Sequence, residues 1–252
     1  MGSMAQENGH DDRVGAMLAK VLPGLTHYEQ AALANLSPVR RFVGRNTVVA
    51  AEAEYLDKLR FFVSGWAMKS VTMTQNRRQI IGFVLPGSLE GLHSDSRQAS
   101  TANVVTLTRC EIAEFQMNEI HNLAHDFSGI GAGLRAYMAR DTAILGDQVL
   151  RLGRMTAYER VCHFFLEIFD RQCPDCPNGS TVAFPVTQSI VADVLGLSVV
   201  HVNRQVMRLR QEGLLDLDRK SLTIHDFRRL QAISGYKSRR AEREMAFRGA
   251  AE

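Results

Sequence analysis

The chain has 252 residues, 45% of them apolar, and a formal net charge of +3 from 30 basic and 27 acidic side chains. That is ample for a packed core in one large domain or two small ones. No apolar run approaches the roughly 18 residues of a membrane span, and four cysteines (Cys110, Cys162, Cys173, Cys176) are too few for a disulfide scaffold at this length. The start, MGSMAQENGHDD, is polar and has no signal-peptide pattern, and MGSM looks like a cloning remnant. A cytoplasmic protein without a membrane partner is expected.

Residues 1–19 are expected to be a disordered tail. Thr26–Leu36 has helical texture: Thr26 and Glu29 stand at capping-box spacing, and Ser37–Pro38 ends the run. From Phe42 to Phe115 the chain changes to short apolar segments, TVVA (47–50), LRFFVSGWAMKSV (59–71), QIIGFVL (79–85), NVVTL (103–107) and EIAEF (111–115). They are broken at Gly65, Gln75–Asn76, Pro86–Gly87 and His93–Gln98. That spacing predicts an antiparallel β-roll of about eight short strands over residues 20–126. A short helix over Asn118–His125 closes it.

Residues 127–153 then form a long helix ending at a hinge, Gly153. Its apolar residues Ile130, Leu134, Tyr137, Met138, Ile144, Leu145 and Val149 lie close to a heptad seam, which Asp141 and Gln148 interrupt. The simplest partner for such a stripe is the same helix of a second copy, and all nine residues are assigned to a dimer interface. Packing on the chain's own roll is the alternative. Thr156 and Glu159 form a second capping box, opening a helix with Val161, Phe164, Phe165 and Ile168 inward. CPDCPNGS (173–180) is a loop. LLDLDRKSLTI (214–224) predicts a hairpin turning at Asp218–Lys220, Asp226–Ile233 a last helix, and 237–252 a polar tail.

The most informative stretch is FPVTQSIVADVLGLSVVHVNRQVMRLRQEGLLDL (184–217). Counting Gln188 as the first position, Val191, Ala192, Leu195, Gly196, Leu197 and Val202 fall fourth, fifth, eighth, ninth, tenth and fifteenth. A helix-turn-helix needs that register. Ala192 lets the helices approach, and Gly196 makes a turn that a Cβ would obstruct. Gln205 sits at the eighteenth position, where an apolar residue is usual. Thr187 and Ser198 can cap the two helix starts. The second helix, from about Ser198 to Gln211, presents Val199, Val200, His201, Asn203 and Arg204 near its start, the end that enters the DNA major groove in this motif. With Thr187, Gln188, Ser198 and Arg208 these are the candidate DNA-binding residues, within a winged unit over 154–236. Positive charge gathers here: from Leu197 onward there are 12 basic and 7 acidic residues, as phosphate contact requires.

An α+β chain with an N-terminal antiparallel roll, a long dimerisation helix and a C-terminal winged helix-turn-helix resembles the Crp–Fnr family of bacterial transcription regulators. GLSVVHVNRQVMRLRQEGLL and LPGSLEGL carry the resemblance, which spans about residues 20–235. It implies a homodimer on double-stranded DNA, with RNA polymerase as a further partner if the protein activates. It also implies that Arg204, in Val202-Asn203-Arg204, contacts guanine, a pairing that discriminates by about 1–3 kcal/mol. Val199 and Val200 stand where the family commonly has a Glu before that Arg. Valine cannot accept from cytosine N4 but can touch a thymine methyl, so the half-site should depart from TGTGA- or TTGAT-like sequences.

The roll lacks the family's known sensor signatures. Its cyclic-AMP binders carry Gly-Glu followed by Arg-Ser; here Leu92 follows Gly91, and Ser100-Thr101 stand for Arg-Ser, so a bound phosphate would lack its cation. Arg97 could supply the contact under another alignment. No cysteine precedes Cys110, which rules out an iron–sulfur cluster of the family's oxygen-sensing type. His93, His121 and His125 could in principle serve haem. No cofactor or metal is expected, and the effector is unassigned. Cys173-Pro174-Asp175-Cys176 has CxxC spacing and is a candidate redox pair, or with Cys162 and His163 a metal site, or merely structural. The competing reading is a small-molecule, redox or metal sensor with a protein output and a degenerate DNA-binding unit. An enzyme is not expected: Glu90 and His93 are the nearest approach to a catalytic cluster.

Overall fold

Among the described residues, eight of eleven strands lie between Val39 and Gln116 and form two antiparallel four-stranded sheets. The computed structural model describes residues 12–55, 57–74, 77–92 and 99–238. The elements are α1 (Asp12–Val21), α2 (His27–Ala34), β1 (Val39–Val43), β2 (Val48–Ala50), β3 (Lys58–Ser64), β4 (Ala67–Thr72), β5 (Arg78–Val84), β6 (Leu89–Glu90), β7 (Asn103–Thr106), β8 (Cys110–Gln116), α3 (Met117–Asp126), α4 (Ser128–Arg154), α5 (Ala157–Gln172), β9 (Ser180–Ala183), α6 (Gln188–Leu195), α7 (Val199–Gln211), β10 (Leu215–Leu217), β11 (Ser221–Ile224) and α8 (Phe227–Ser234). The expected breaks at Gln75–Asn76 and His93–Gln98, with His93 and Arg97, lie outside the described residues, as does the tail from residue 239.

One sheet runs β1-β8-β3-β6 and the other β2-β7-β4-β5. The run read as LRFFVSGWAMKSV crosses between them at Gly65, which adopts φ +87° because a Cβ there would meet the Arg109 carbonyl oxygen at 2.4 Å. β3 is buried on both faces, one of them apolar and the other holding Phe62 beside the buried Arg60–Glu114 pair. Leu59 and Phe61 face α1 and α4, while Phe62 joins Val84, Val104 and Ile112 between the sheets. The outer face of the second sheet (Trp66, Met68, Ile80, Phe83) shares one core with Phe164, Phe165 and Phe184 of the C-terminal unit. Roll and C-terminal unit are therefore packed together through a common apolar layer.

Both capping boxes form. Thr26 caps α2 with Glu29 returning its bond, and Thr156 and Glu159 do the same for α5. Glu29 does more: its Oε1 accepts from the Gly129 amide at 2.7 Å, so one carboxylate caps α2 and the start of α4. Burial opposes its charge, but the bonds from Thr26, Gly129 and Ile130 outweigh this and hold its pKa below the ordinary value.

Three expectations are corrected. Residues 12–19, expected to be disordered, are helical, because Val14, Leu18 and Leu22 recur on one face and bury against the roll. Gly153 lies inside α4; the break falls at Met155, whose extended backbone (φ −81°, ψ 143°) ends the helix. The loop after Cys173 leads into β9, which pairs with β11 and makes the wing sheet three-stranded, β10-β11-β9.

Candidate DNA interface

Thr187 and Ser198 occupy the N-cap positions of α6 and α7, accepting from the Ile190 and His201 amides. Gly196 takes the left-handed conformation (φ 61°, ψ 38°) between them, and the two helices meet at 103°, within the range of a helix-turn-helix. Val191, Ala192, Leu195 and Val202 are buried as the register requires.

α7 has two faces. Val202, Gln205, Val206 and Leu209 are buried, whereas Val200, Asn203, Arg204, Met207 and Arg208, at the i, i+3, i+4, i+7, i+8 positions, face solvent. Val200 is 80% exposed, and Val199 is exposed beside it. An apolar side chain left this open on a rigid helix suits contact with another surface. Arg204 has no hydrogen bond or ion pair among the described residues.

Arg208 differs. Its guanidinium lies 4.0 Å from the Tyr158 ring centroid and donates to Glu212 at 2.8 Å, while the Tyr158 hydroxyl donates to the same carboxylate at 2.6 Å. This arrangement ties α7 to the start of α5, and Arg208 stays exposed on the same face as Arg204. The wing is braced similarly: Asp216 accepts from Arg210 at 3.0 Å and contacts His225 at 2.9 Å. The His225 bond and Arg210 outweigh partial burial and hold the Asp216 pKa down. This leaves Arg219 and Lys220 exposed at the wing tip.

The nine residues of the expected seam divide. Ile130, Leu134 and Tyr137 are buried against their own roll, and the Tyr137 hydroxyl accepts from the Leu89 amide at 2.8 Å. Gln148 is buried too, donating to the Val194 carbonyl at 2.7 Å. Asp141 pairs with Lys69 at 3.2 Å. Ile130, Leu134, Tyr137 and Gln148 are corrected to intrachain roles, because their own subunit already buries them; Asp141 is half-buried beside Lys69. Leu145 and Val149 are exposed, and Met138 and Ile144 half-buried.

A cavity of about 380 Å³ opens where β4, β5 and β6 meet α4 and α5; Lys69, Phe83, Gly91, Ser100, Thr101, Asp141 and Arg171 are among its lining. Lys69, absent from the sequence reading, is its inner cation. Its ammonium is held by Glu90 at 2.7 Å and by Asp141. Burial works against that charge, but the two carboxylates outweigh it and raise the pKa. Arg171 is spent on Glu167 at 3.1 Å and on the Phe83 carbonyl at 2.8 Å. Ser100 and Thr101 do line the cavity, yet both cations of its described lining are already paired with protein carboxylates, an environment poor for a cyclic phosphate.

Cys173 and Cys176 form a disulfide. Cys162 and His163 lie in the α5 core, where burial drives the Cys162 pKa up to about 12 and, with Arg151 nearby, the His163 pKa down to about 4. Among the described residues no three His, Cys, Asp or Glu gather as metal ligands, and no single helix is long and apolar enough to cross a membrane.

Two family models match: the cyclic nucleotide-binding domain over residues 40–127 and the Crp-like helix-turn-helix domain over 159–233. The transcriptional activatory protein AadR of Rhodopseudomonas palustris is 26% identical over 76% of this chain and 79% of its own length. The transcriptional activator FnrL of Cereibacter sphaeroides is 26% identical over 82% and 84%. The structure of FixK2 from Bradyrhizobium japonicum superposes with a TM-score of 0.70 at 24% identity, covering 79% of this chain and 98% of that one. A cyclic-nucleotide-type roll joined by a long helix to a Crp-like winged helix-turn-helix is the architecture of one family: the chain belongs to the Crp–Fnr transcription regulators, with its DNA-binding unit at α6–α7.

Proposed function

We propose that the protein is a homodimeric regulator that reads a near-palindromic operator with two copies of α7, half-sites about 34 Å apart. The observation that carries this reading is the face of α7. Its N-terminal half offers Val199, Val200, His201, Asn203 and an unpartnered Arg204 on a helix whose other side is locked into the core. Arg204 reads a guanine, Val199 and Val200 meet thymine methyls, and Thr187, Gln188 and Ser198 approach phosphates. The subunits meet along the far half of α4, where Thr142, Leu145, Gly146 and Val149 are exposed and nothing lies near Gly146 to hinder a second helix. The roll cavity takes an effector other than a cyclic nucleotide, or none. RNA polymerase is the further partner if the protein activates.

Selection of bound duplexes from a random pool, with no added ligand at about 0.15 M salt, tests this directly. A two-fold-symmetric consensus is expected. Arg204→Ala should lose about 1–3 kcal/mol of discrimination at one base pair per half-site while keeping non-specific binding. Unchanged sequence preference would remove Arg204 from its role. Absence of salt-dependent DNA binding would favour the competing reading, a sensor with a protein output.

A further inference from the structure

The last turn of α6, just before the helix-turn-helix bend, has three carbonyls that no α-helical amide satisfies. Each is taken by a side chain from a different part of the molecule. Gln79 on β5 donates to the Asp193 carbonyl at 3.1 Å and to that of Val194 at 3.4 Å. Gln148 on α4 donates to the Val194 carbonyl at 2.7 Å. Arg160 on α5 donates to the Leu195 carbonyl at 3.1 Å, and its Nε to the Met155 carbonyl at the interhelical break. Arg78 adds an ion pair to Asp193 at 2.9 Å.

The same three elements line the roll cavity. β5 contributes Ile81, Gly82 and Phe83, α4 contributes Asp141, Thr142, Ile144 and Leu145, and α5 contributes Arg171. On α4, Gln148 follows Asp141 by two turns, so a shift of that helix at the cavity is a shift at Val194. Gln148 is also chemically costly where it stands. It is 3% exposed, and its Oε1 has no partner among the described residues. An apolar residue would be cheaper there, so the amide is retained for its hold on α6.

We propose that Gln79 and Gln148 are positioning residues for DNA reading: they fix the pose of the helix-turn-helix against the roll. This rests on α6–α7 being the DNA-reading unit. The test uses the full-length protein and two duplexes derived from the selected consensus, one with both half-sites and one with a single half-site. Pose governs how two reading helices span two half-sites, whereas a single half-site is indifferent to it. Gln79→Met and Gln148→Met should each change the ratio of full-site to half-site affinity by about fivefold or more, in the same direction. The double variant should change it by less than the product, because both amides serve Val194. Arg78→Asp and Asp193→Arg, at an exposed pair, provide variants that do not disturb the core. Each should move the ratio as the glutamine variants do, and the double swap should restore it. An unchanged ratio in folded protein, with half-site binding intact, overturns the proposal. Failure to obtain any consensus would instead strike the DNA-reading assignment itself.

Discussion

The two halves of α4 look alike in sequence and do opposite things. Both carry apolar residues at helical spacing. In the near half, Ile130, Leu134 and Tyr137 are consumed by the chain's own roll. In the far half, Leu145 and Val149 point outward, and the buried positions are polar: Gln148 and Arg151, each bonded to the C-terminal unit. The comparison teaches that periodicity reports a buried face but not whose surface buries it. One helix here is a strut of the roll at one end and, at the other, grips the C-terminal unit with its polar side while leaving an apolar side open.

The sharpest way to break the comparison is to place the same charge in each half. Leu134→Asp should unfold or severely destabilise the roll, by about 4–5 kcal/mol, because it buries an unpaired carboxylate. Val149→Asp, at a position 67% exposed, should leave the melting temperature nearly unchanged and yield monomers by light scattering. Monomers from a well-folded Leu134→Asp protein would return the seam to the near half.

Next in size is Arg151, which pairs with Glu167 at 2.6 Å and lies over the Phe164 ring. Arg151→Ala should cost about 3 kcal/mol in denaturant unfolding, the low end for a broken buried pair, because Arg171 still faces Glu167. A change under about 0.5 kcal/mol would mean that the ion pair does not hold α4 to α5.

His163, in the adjoining core, gives a pH signature of about 3 kcal/mol at most. Its folded pKa is lowered to about 4 by burial and by Arg151, from an ordinary 6.5. The unfolded chain therefore binds the extra proton first as pH falls. Stability should be full above about pH 6.5 and decline toward pH 4, and His163→Phe should flatten that slope; an equal slope in the variant would place the acid sensitivity elsewhere. The smallest expected effect lies at the cavity that divides the two halves: cyclic AMP should leave the melting temperature unchanged, since Lys69 and Arg171 already have carboxylate partners. A clear rise would show that a nucleotide can displace them.

Much of this architecture was legible in the sequence because it depends on local rules. The capping boxes at Thr26 and Thr156 and the turn at Gly196 are each fixed within a few residues, and each formed. The helix over residues 12–21 has a weaker signal, Val14 and Leu18 one turn apart, beside a polar start. The reading face of α7 follows from spacing alone. What spacing could not give were the contacts between distant segments: Lys69 with Asp141, Gln79 and Gln148 with the end of α6, Arg208 turned onto Tyr158. Gln148 shows why. As an interruption in a heptad it reads as a flaw, and only the carbonyl of Val194, brought alongside by the fold, gives it a purpose.

Glu29 closes a ring of a different kind. Its bond to the Gly129 amide joins residues 100 apart, with the described strands of the roll between them. Closure of so long a loop is entropically affordable only once intervening contacts have drawn its ends together. The first turn of the long helix is thus capped only in a molecule whose roll is complete. Without the assembled roll, the Gly129 amide would lose this acceptor. The carboxylate acts as an inspection mark, tying the start of the long helix to a finished roll.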